Sequence, residues 1–389
     1  MTSLRKVPSS RWKLLRWFIA SGTSGFPQAG GPIAFSLVAL SLTRDPSGGA
    51  AMMLAMTLAQ VAGAIPIARL GRSLPMATYL RLLIVVRTVA LVSIAVLAAS
   101  DASFTWLIVL AAVAGSVNGA ASGYLRAILN HLAPAARLPR ALGISATLNE
   151  VTFVLAPVAA SGLGTVSPVL AVLALAAIGA VPALLIPGTG SAHIHDVRGV
   201  DVRDVGGSLL SPAILLWLMC AAAGGAAVAA IEIGAVALAL SFGYEPALGI
   251  VFTVPLCLAS VAGGIWISVH NRMATQKAVV AQLLIMTLGS ALAALDLSVA
   301  TTVIATVLIG SVLAPLATYY SLRLDTLAPP QRRPEAFALL RTANAIGVIF
   351  ASAVLTVVSL SMALIVVTGL MIVVTLVVGI ASRRAPLAI

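Results

Sequence analysis

The sequence predicts an all-α integral membrane protein with twelve transmembrane helices, arranged as two parallel-repeat six-helix halves with both termini in the cytoplasm. Three features of the chain lead to this prediction: its apolar composition, its long apolar segments and a repeat at half its length. Of its 389 residues, 60% are hydrophobic and only 9% are charged, and the mean hydropathy is +1.11. Soluble domains contain about 25% charged residues, so this chain has too few to cover a water-facing surface.

The formal net charge of +12 does not indicate nucleic-acid binding, because the basic residues lie between long apolar runs and not on a soluble face. Cys220 and Cys257 each lie inside an apolar run, which favours packing thiols over a disulfide or a thiolate metal site. The basic N-terminal segment precedes an apolar run that is too long for a signal-peptide core. We therefore expect this segment to be retained in the cytosol.

Apolar segments of about 20 residues, the length that spans a bilayer as a helix, occur twelve times between charges and Pro/Gly clusters. The segments are continuous and lack the alternation of a transmembrane β-strand, which excludes a β-barrel. The predicted spans are 16–40, 49–70, 76–98, 104–129, 141–163, 166–186, 210–240, 245–269, 277–296, 298–323, 334–358 and 360–381.

Basic residues concentrate in the loops on one side of these spans, which identifies that side as cytoplasmic. The opposite loops contain Arg44 as their one basic residue, together with four acidic residues. This distribution predicts a multi-pass protein of the cell membrane. The longest loop, 187–208, has the mixed charge of a solvated linker and separates an N-terminal six-helix half, 1–186, from a C-terminal six-helix half, 209–389.

The two halves show an internal repeat. A shift of 195 residues superimposes Gly115-Ser116-Val117 on Gly310-Ser311-Val312, and Leu132-Ala133-Pro134 on Leu327-Ala328-Pro329. Tyr124, Arg137 and Asn149 then fall on Tyr319, Arg332 and Asn344. A shift of 200 places Gly63 and Arg72 on Gly263 and Arg272. Two parallel halves of this kind are an architecture of secondary transporters.

The chain resembles the major facilitator superfamily over its whole length. The family's loop motif after the second helix, Gly-x-x-x-Asp-Arg-x-Gly-Arg-Arg, is matched at Arg69, Gly71 and Arg72, whereas Ala64 and Ala68 replace its Gly and Asp. In the family this motif forms a cytoplasmic charge latch. The fifth span resembles a worn antiporter motif at Ala156-Pro157, and Gly115 stands where drug/proton antiporters carry a relay arginine.

The resemblance is greater to efflux-type members from high-GC bacteria whose substrates are undefined. Their acid in the seventh helix and Glu in the fifth are matched by Glu232 and Glu150. Their sequence pattern after the tenth helix is matched by Leu327 to Pro330 and by Glu335 to Phe337.

Ionisable side chains inside a bilayer are candidate functional groups, because placing them there costs several kcal/mol (about 2.5–3.5). Glu150 and Glu232 are proton-coupling candidates, since burial in hydrocarbon disfavours the charged carboxylate and favours proton binding. A static pairing with arginine is the alternative for both. Arg87, in the middle of the third span, and Arg126, near the cytoplasmic end of the fourth, are charge-pair candidates, and Arg126 is also positioned to snorkel to the interface.

Five further polar side chains are candidates for the lining of a substrate cavity, with interhelical hydrogen bonding as the alternative role. Gln28 lies in a run rich in glycine and proline that is expected to bend the first helix at the cavity. The five residues are Gln28, Asn118, Asn149, Arg341 and Asn344.

Together these features predict a secondary active transporter, with proton-coupled efflux of a small amphipathic molecule by alternating access as the leading hypothesis. Proton-coupled uptake of a small metabolite and a transport-inactive sensor or scaffold are the alternatives. We expect no enzyme activity and no cofactor or metal, because the histidines, His131, His193, His195 and His270, all fall in cytoplasmic loops, and His193 and His195 lack further ligands. The absence of a Walker motif excludes ATP drive within this chain. The expected partners are a small-molecule substrate, protons and the lipid bilayer, with a monomer as the expected state and no nucleic acid.

Overall fold

The computed structural model describes residues 10–43, 47–100, 102–187, 211–244, 250–270 and 274–384. This part of the chain is helical, with short 3-10 turns at Gly71–Ser73, Ala135–Arg137 and Pro330–Arg332. The α-helices are α1 (Ser10–Ser24), α2 (Phe26–Thr43), α3 (Ser47–Leu70), α4 (Met76–Ala99), α5 (Phe104–Ser116), α6 (Asn118–Leu132), α7 (Leu138–Gly164), α8 (Pro168–Leu185), α9 (Pro212–Ser241), α10 (Ile250–His270), α11 (Gln276–Ala294), α12 (Val299–Leu327), α13 (Arg333–Val357) and α14 (Leu360–Arg384).

Twelve segments of the described chain are long and apolar enough to cross a membrane, which confirms the predicted number of spans. Fourteen helices make twelve spans because the first and fourth spans are each interrupted. The interruption lies at Gly25 between α1 and α2, and at Val117 between α5 and α6. Pro27 lies in the first turn of α2, where the missing N–H is tolerated, whereas Pro32 lies inside that helix.

Large apolar side chains on the outer faces of the helices are exposed, as expected for a protein surrounded by lipid. On α4, Leu82, Val85 and Val89 are each at least half exposed, and they share one face of the helix. Leu91 and Ile94 on the opposite face are buried in the apolar core. A soluble helix would place its apolar face inward only.

The chain divides into two compact units. Unit 1 comprises Met1–Leu138, Leu148–Asp204 and Pro330–Ala338, and unit 2 comprises Pro139–Thr147, Val205–Pro329 and Leu339–Ile389. Helices α7 and α13 therefore each contribute residues to both units. The halves 1–186 and 209–389 expected from the sequence divide the chain once, at the linker, whereas each of these units also includes a short segment from the other half. Residues 188–208 of the expected linker lie outside the described residues.

Each unit contains one close approach of two helices at an equivalent glycine. In unit 1, a Cβ atom on Gly115 would lie 2.0 Å from the carbonyl oxygen of Met56, so only glycine permits this approach of α3 and α5. In unit 2, a Cβ atom on Gly310 would lie 2.3 Å from the carbonyl oxygen of Leu256, between α10 and α12. The repeat found in the sequence is thus also a repeat of helix contacts.

Candidate functional site

The interruption of the first span exposes backbone carbonyl groups that side chains of other helices bind. Thr152 of α7 donates its hydroxyl to the carbonyl oxygen of Gly22 at 2.8 Å. Arg87 of α4 donates Nη1 to the carbonyl oxygen of Ser24 at 2.9 Å. Carbonyl groups at a helix end lack intrahelical partners, so these bonds satisfy them within the apolar interior.

Arg87 is buried at the middle of α4, with 3% of its surface exposed. Besides Ser24, it donates Nη1 to Oδ1 of Asn118 at 3.2 Å and Nη2 to the carbonyl oxygen of Gly179 at 2.7 Å. The guanidinium group therefore links three places: the interruption of the first span, the first residue of α6, and the middle of α8. Asn118, expected to line a cavity, is 5% exposed and bonded to Arg87.

In place of the charged partner that the sequence predicts for Arg87, the structure surrounds its guanidinium group with neutral oxygens. None of its partners among the described residues is a carboxylate. The carbonyl oxygens of Ser24, at the end of α1, and of Gly179, inside α8, carry partial negative charge and can take the place of an acid. Nothing in the local sequence near Arg87 indicates these partners, because they lie on other helices.

The second repeat makes the equivalent link between its helices without a charge. Helices α4 and α11 begin at Met76 and Gln276, so Thr287 occupies the position of Arg87. Its hydroxyl group lies 2.8 Å from that of Thr375 on α14. A neutral pair of hydroxyl groups is therefore sufficient for this contact in the fold.

Two asparagines predicted to line the cavity occupy equivalent places in the two units. In unit 1, Oδ1 of Asn149 lies 3.8 Å from the position of a Cβ atom on Gly25. In unit 2, Oδ1 of Asn344 lies 2.6 Å from the position of a Cβ atom on Gly225. Each amide thus packs against a glycine in the first span of its repeat.

The remaining candidates are distributed over both units. In unit 1, Gln28 on α2 and Glu150 on α7 are partly buried. In unit 2, Arg341 on α13 is partly buried and Glu232 on α9 is exposed. Both glutamates lie inside membrane-capable helices, as predicted.

A buried carboxylate accepts hydrogen bonds from the loop motif after α3. Glu335, in the first turn of α13 and 1% exposed, accepts a bond from Nε of Arg69 at 3.3 Å and from Nε of Arg72 at 2.7 Å. Nη2 of Arg72 also donates to Glu335, and Nη2 of Arg332 lies 3.5 Å from it. We name Arg69, Arg72, Arg332 and Glu335 the charge cluster. All four residues belong to unit 1.

The loop motif lacks its usual acid at position 68, and Glu335 supplies a carboxylate to its arginines instead. The sequence pattern after the tenth span includes Glu335 but does not identify it as the partner of Arg69 and Arg72. A signal was present, because Pro334 and Glu335 stand where a helix starts and an acid there is favoured by the helix dipole. The spatial contact with Arg69 and Arg72 was not readable from the sequence.

Two tyrosines hold the backbone of the loop motif. Tyr79 donates its hydroxyl to the carbonyl oxygen of Ile67 at 2.6 Å, and Tyr124 donates to that of Ala68 at 2.9 Å. A Cβ atom on Gly71 would lie 2.2 Å from the Tyr79 ring and 2.5 Å from the Tyr124 hydroxyl oxygen. The absence of a side chain at Gly71 therefore lets both tyrosines reach the end of α3.

Arg126 contacts an aromatic ring and an amide within unit 1. The centre of its guanidinium group lies 4.6 Å from the centroid of the Phe337 ring, in a cation–π arrangement. Its Nη1 also donates to Oδ1 of Asn130 one turn later in α6. These contacts place Arg126 beside residues 330–338, which carry the charge cluster.

Among the described residues, no group of three or more His, Cys, Asp or Glu side chains is arranged to hold a metal ion. His193 and His195, which are not expected to hold a metal, lie outside the described residues.

Comparisons with known proteins agree with the fold. The family model described as Major Facilitator Superfamily matches residues 17–352. No curated protein sequence is significantly similar to the chain.

Solved structures of membrane transporters share this fold. They include a bacterial homologue of the iron transporter ferroportin in the outward-facing state, with a TM-score of 0.78 and 13% identity over 96% of this chain and 99% of that chain. The human organic anion transporter MFSD10 (TETRAN) has a TM-score of 0.72 and 16% identity, covering 95% and 100%. The E. coli fucose:proton symporter FucP has a TM-score of 0.70 and 13% identity, covering 93% and 98%.

Proposed function

Because the chain belongs to the major facilitator superfamily, we propose that it is a proton-coupled secondary transporter that exports a small amphipathic molecule by alternating access. It acts as a monomer in the plasma membrane in this proposal, and its partners are the substrate, protons and lipid. The family and the fold are those of transporters, so transport and not catalysis is the activity to test.

The observation that carries the proposal is the polar layer at mid-depth in otherwise apolar helices. Arg87 and Asn118 meet at the interrupted first and fourth spans, and Asn149 lies against Gly25 at the same interruption. In transporters, interrupted helices at the bilayer midplane present backbone and polar groups to substrates. A purely structural bundle has no comparable need for polar groups at this depth.

Two carboxyl groups inside the spans support proton coupling. Glu150 is partly buried on α7 beside Asn149, and Glu232 is exposed on α9. A carboxyl group in a low-dielectric environment exchanges protons when its hydration changes, because burial penalises the charged form. Alternating access changes the hydration of such a group once in each transport cycle.

An amphipathic substrate fits the composition of the spans. The chain contains only five Trp and five Tyr residues, whereas a sugar site uses aromatic stacking and many hydrogen-bonding groups. The E. coli fucose:proton symporter shares this fold, so the direction of substrate movement relative to protons is part of the test.

The charge cluster supports a role for the loop motif in the transport cycle. It joins the turn after α3 to the first turn of α13, so movement of α13 away from this turn requires its ion pairs to open. We propose that the cluster stabilises the state in which these two segments are in contact.

The experiment is proton flux in proteoliposomes with an enclosed pH-sensitive dye, in a screen of lipophilic cations and small metabolites. Wild type is compared with Glu150→Gln and Glu232→Gln, with Asp296→Asn as the control for removing an acid outside the helices. Asp296 has a positive φ of 47°, which asparagine also tolerates.

A substrate that moves protons in wild type and in Asp296→Asn, but not in one glutamate variant that still binds it, supports proton coupling through that glutamate. Equal substrate flux in all variants without a proton gradient contradicts coupling. Direction follows from inside-out vesicles with an acidic lumen, in which an exporter accumulates substrate and a symporter expels it. Binding without flux under every gradient favours a sensor.

A further inference from the structure

We propose that Arg87 and Asn118 bind a small monovalent anion, either a halide or the carboxylate of a small organic acid, in the middle of the membrane. The proposed site does not involve Glu150 or Glu232, so it is independent of proton coupling. Arg87 carries a positive charge that its described partners, all neutral oxygens, leave unbalanced.

A guanidinium group buried at mid-depth carries a full charge that partial dipoles compensate incompletely. Arg87 is the twelfth of the 24 residues of α4, and 3% of its surface is exposed. Its three partners are two backbone carbonyl groups and one amide oxygen. Buried charges in proteins are normally paired with an opposite charge, because the desolvation cost of an unpaired buried ion is not compensated.

Two donors in this site lack an acceptor. Nε of Arg87 and Nδ2 of Asn118 are buried and make no hydrogen bond in the described structure. They belong to adjoining groups, since Oδ1 of the same Asn118 side chain accepts a bond from Nη1 of Arg87. An anion bound beside them accepts from both donors and balances the charge, whereas a water molecule satisfies the donors and leaves the charge.

A third unpaired polar side chain lies on the neighbouring helix. Gln60 of α3 is completely buried, and neither Nε2 nor Oε1 has a partner. Helix α3 approaches α6 closely here, because a Cβ atom on Gly119 would lie 3.2 Å from the carbonyl oxygen of Gln60. Gln60 therefore leaves a further unpaired amide on the helix that packs against the first turn of α6.

In the second repeat the fold forms the equivalent helix contact without a charge at the position of Arg87. Thr287 and Thr375 link α11 to α14 through hydroxyl groups, where Arg87 links α4 to α8. A buried arginine retained in one repeat only is better explained by binding than by packing, because the neutral link is less costly.

The test measures the unfolding temperature of the purified full-length protein, followed by tryptophan fluorescence, in sodium sulfate, whose anion is divalent, with increasing chloride, bromide, formate or acetate at constant ionic strength. Ligand that binds only the folded state adds RT ln(1 + [L]/Kd) to the free energy of unfolding, so this temperature rises once the anion concentration exceeds its Kd. The informative variant is Asn118→Asp, which places a carboxylate beside Arg87 and is expected to abolish the anion effect. Arg87→Lys is expected to raise the Kd fitted from this rise about tenfold, because the forked donor set is lost.

The matched control is Asn130→Asp, the same substitution twelve residues later in α6 and also beside an arginine, Arg126. It is expected to retain the anion effect of wild type. A rise of this logarithmic form with halides, with carboxylates or with both, absent from Asn118→Asp, supports the site and identifies the anion class. No such rise in wild type, or an equal rise in Asn118→Asp, overturns the proposal.

Discussion

Nε of Arg72 donates to Oε1 of Glu335 at 2.7 Å, although 263 residues separate them in the chain. This bond connects the turn after α3 to the first turn of α13. Position 68, where the family's loop motif places an acid, is Ala68 in this chain, and its carbonyl oxygen is held by Tyr124. The arginines of the motif therefore pair with an acid from a distant part of the sequence.

Removal of this carboxylate is predicted to destabilise the protein. We expect Glu335→Gln to lower the free energy of unfolding by about 1–3 kcal/mol, because three arginines lose a shared acid that is 1% exposed. The value is below that of a fully buried pair, since the Arg72 side chain is 39% exposed and partly screened. The measurement is chemical or thermal unfolding in detergent.

A double-mutant cycle tests the specificity of this effect. Arg72→Gln and Glu335→Gln are expected to be non-additive, because they remove the same contact. Arg137→Gln is the control, since Arg137 is exposed and occupies in the first repeat the position that Arg332 has in the second. Additive effects of Arg72→Gln and Glu335→Gln would show that the pair contributes nothing to stability.

Gly71 is predicted to tolerate no side chain. An added Cβ atom would lie 2.2 Å from Cδ1 of Tyr79, so Gly71→Ala must displace a ring that also bonds the carbonyl oxygen of Ile67. We expect a loss of about 1–3 kcal/mol in unfolding free energy. Gly369→Ala in α14, where no atom lies within 4 Å, is the control and is expected to be neutral or stabilising. Equal stability of both variants would contradict the close packing at Gly71.

The paired glycines of the repeat are predicted to have similar effects in the two units. Gly115→Ala places a Cβ atom 2.0 Å from the carbonyl oxygen of Met56, and Gly310→Ala places one 2.3 Å from that of Leu256. Backbone atoms cannot move aside as a flexible side chain can, so each variant is expected to lose at least about 3 kcal/mol or to fail to fold. The yield and unfolding temperature of each purified variant provide the measurement. A variant as stable as wild type would show that the helices do not approach so closely.

Arg87→Lys is predicted to destabilise the protein even though it preserves the charge. Arg87 bonds carbonyl groups of two other helices through Nη1 and Nη2, and a single ammonium group does not match this forked geometry. We expect a loss of about 1–3 kcal/mol in unfolding free energy. Arg81→Lys is the matched control, because Arg81 of the same helix bonds one carbonyl group, that of Ile186. Equal losses at both positions would indicate that the fork at Arg87 is unimportant.

The sequence alone determined the number of membrane spans, the parallel repeat and the positions of most polar groups within the helices. These features depend on local composition and on spacing along the chain, which hydropathy and the shift of 195 or 200 residues reveal directly. The equivalence of Asn149 and Asn344 was readable for the same reason, and both pack against a glycine in the structure.

Only the tertiary structure decided which groups these side chains meet. Arg87 bonds carbonyl groups 63 and 92 residues away, and Glu335 bonds arginines more than 260 residues away. Backbone carbonyl groups carry no sequence signature, since every residue has one, and their availability depends on where a helix is interrupted. The partners of a buried charge are therefore set by helix packing, which brings distant segments together in a low-dielectric interior where an unbalanced charge is costly.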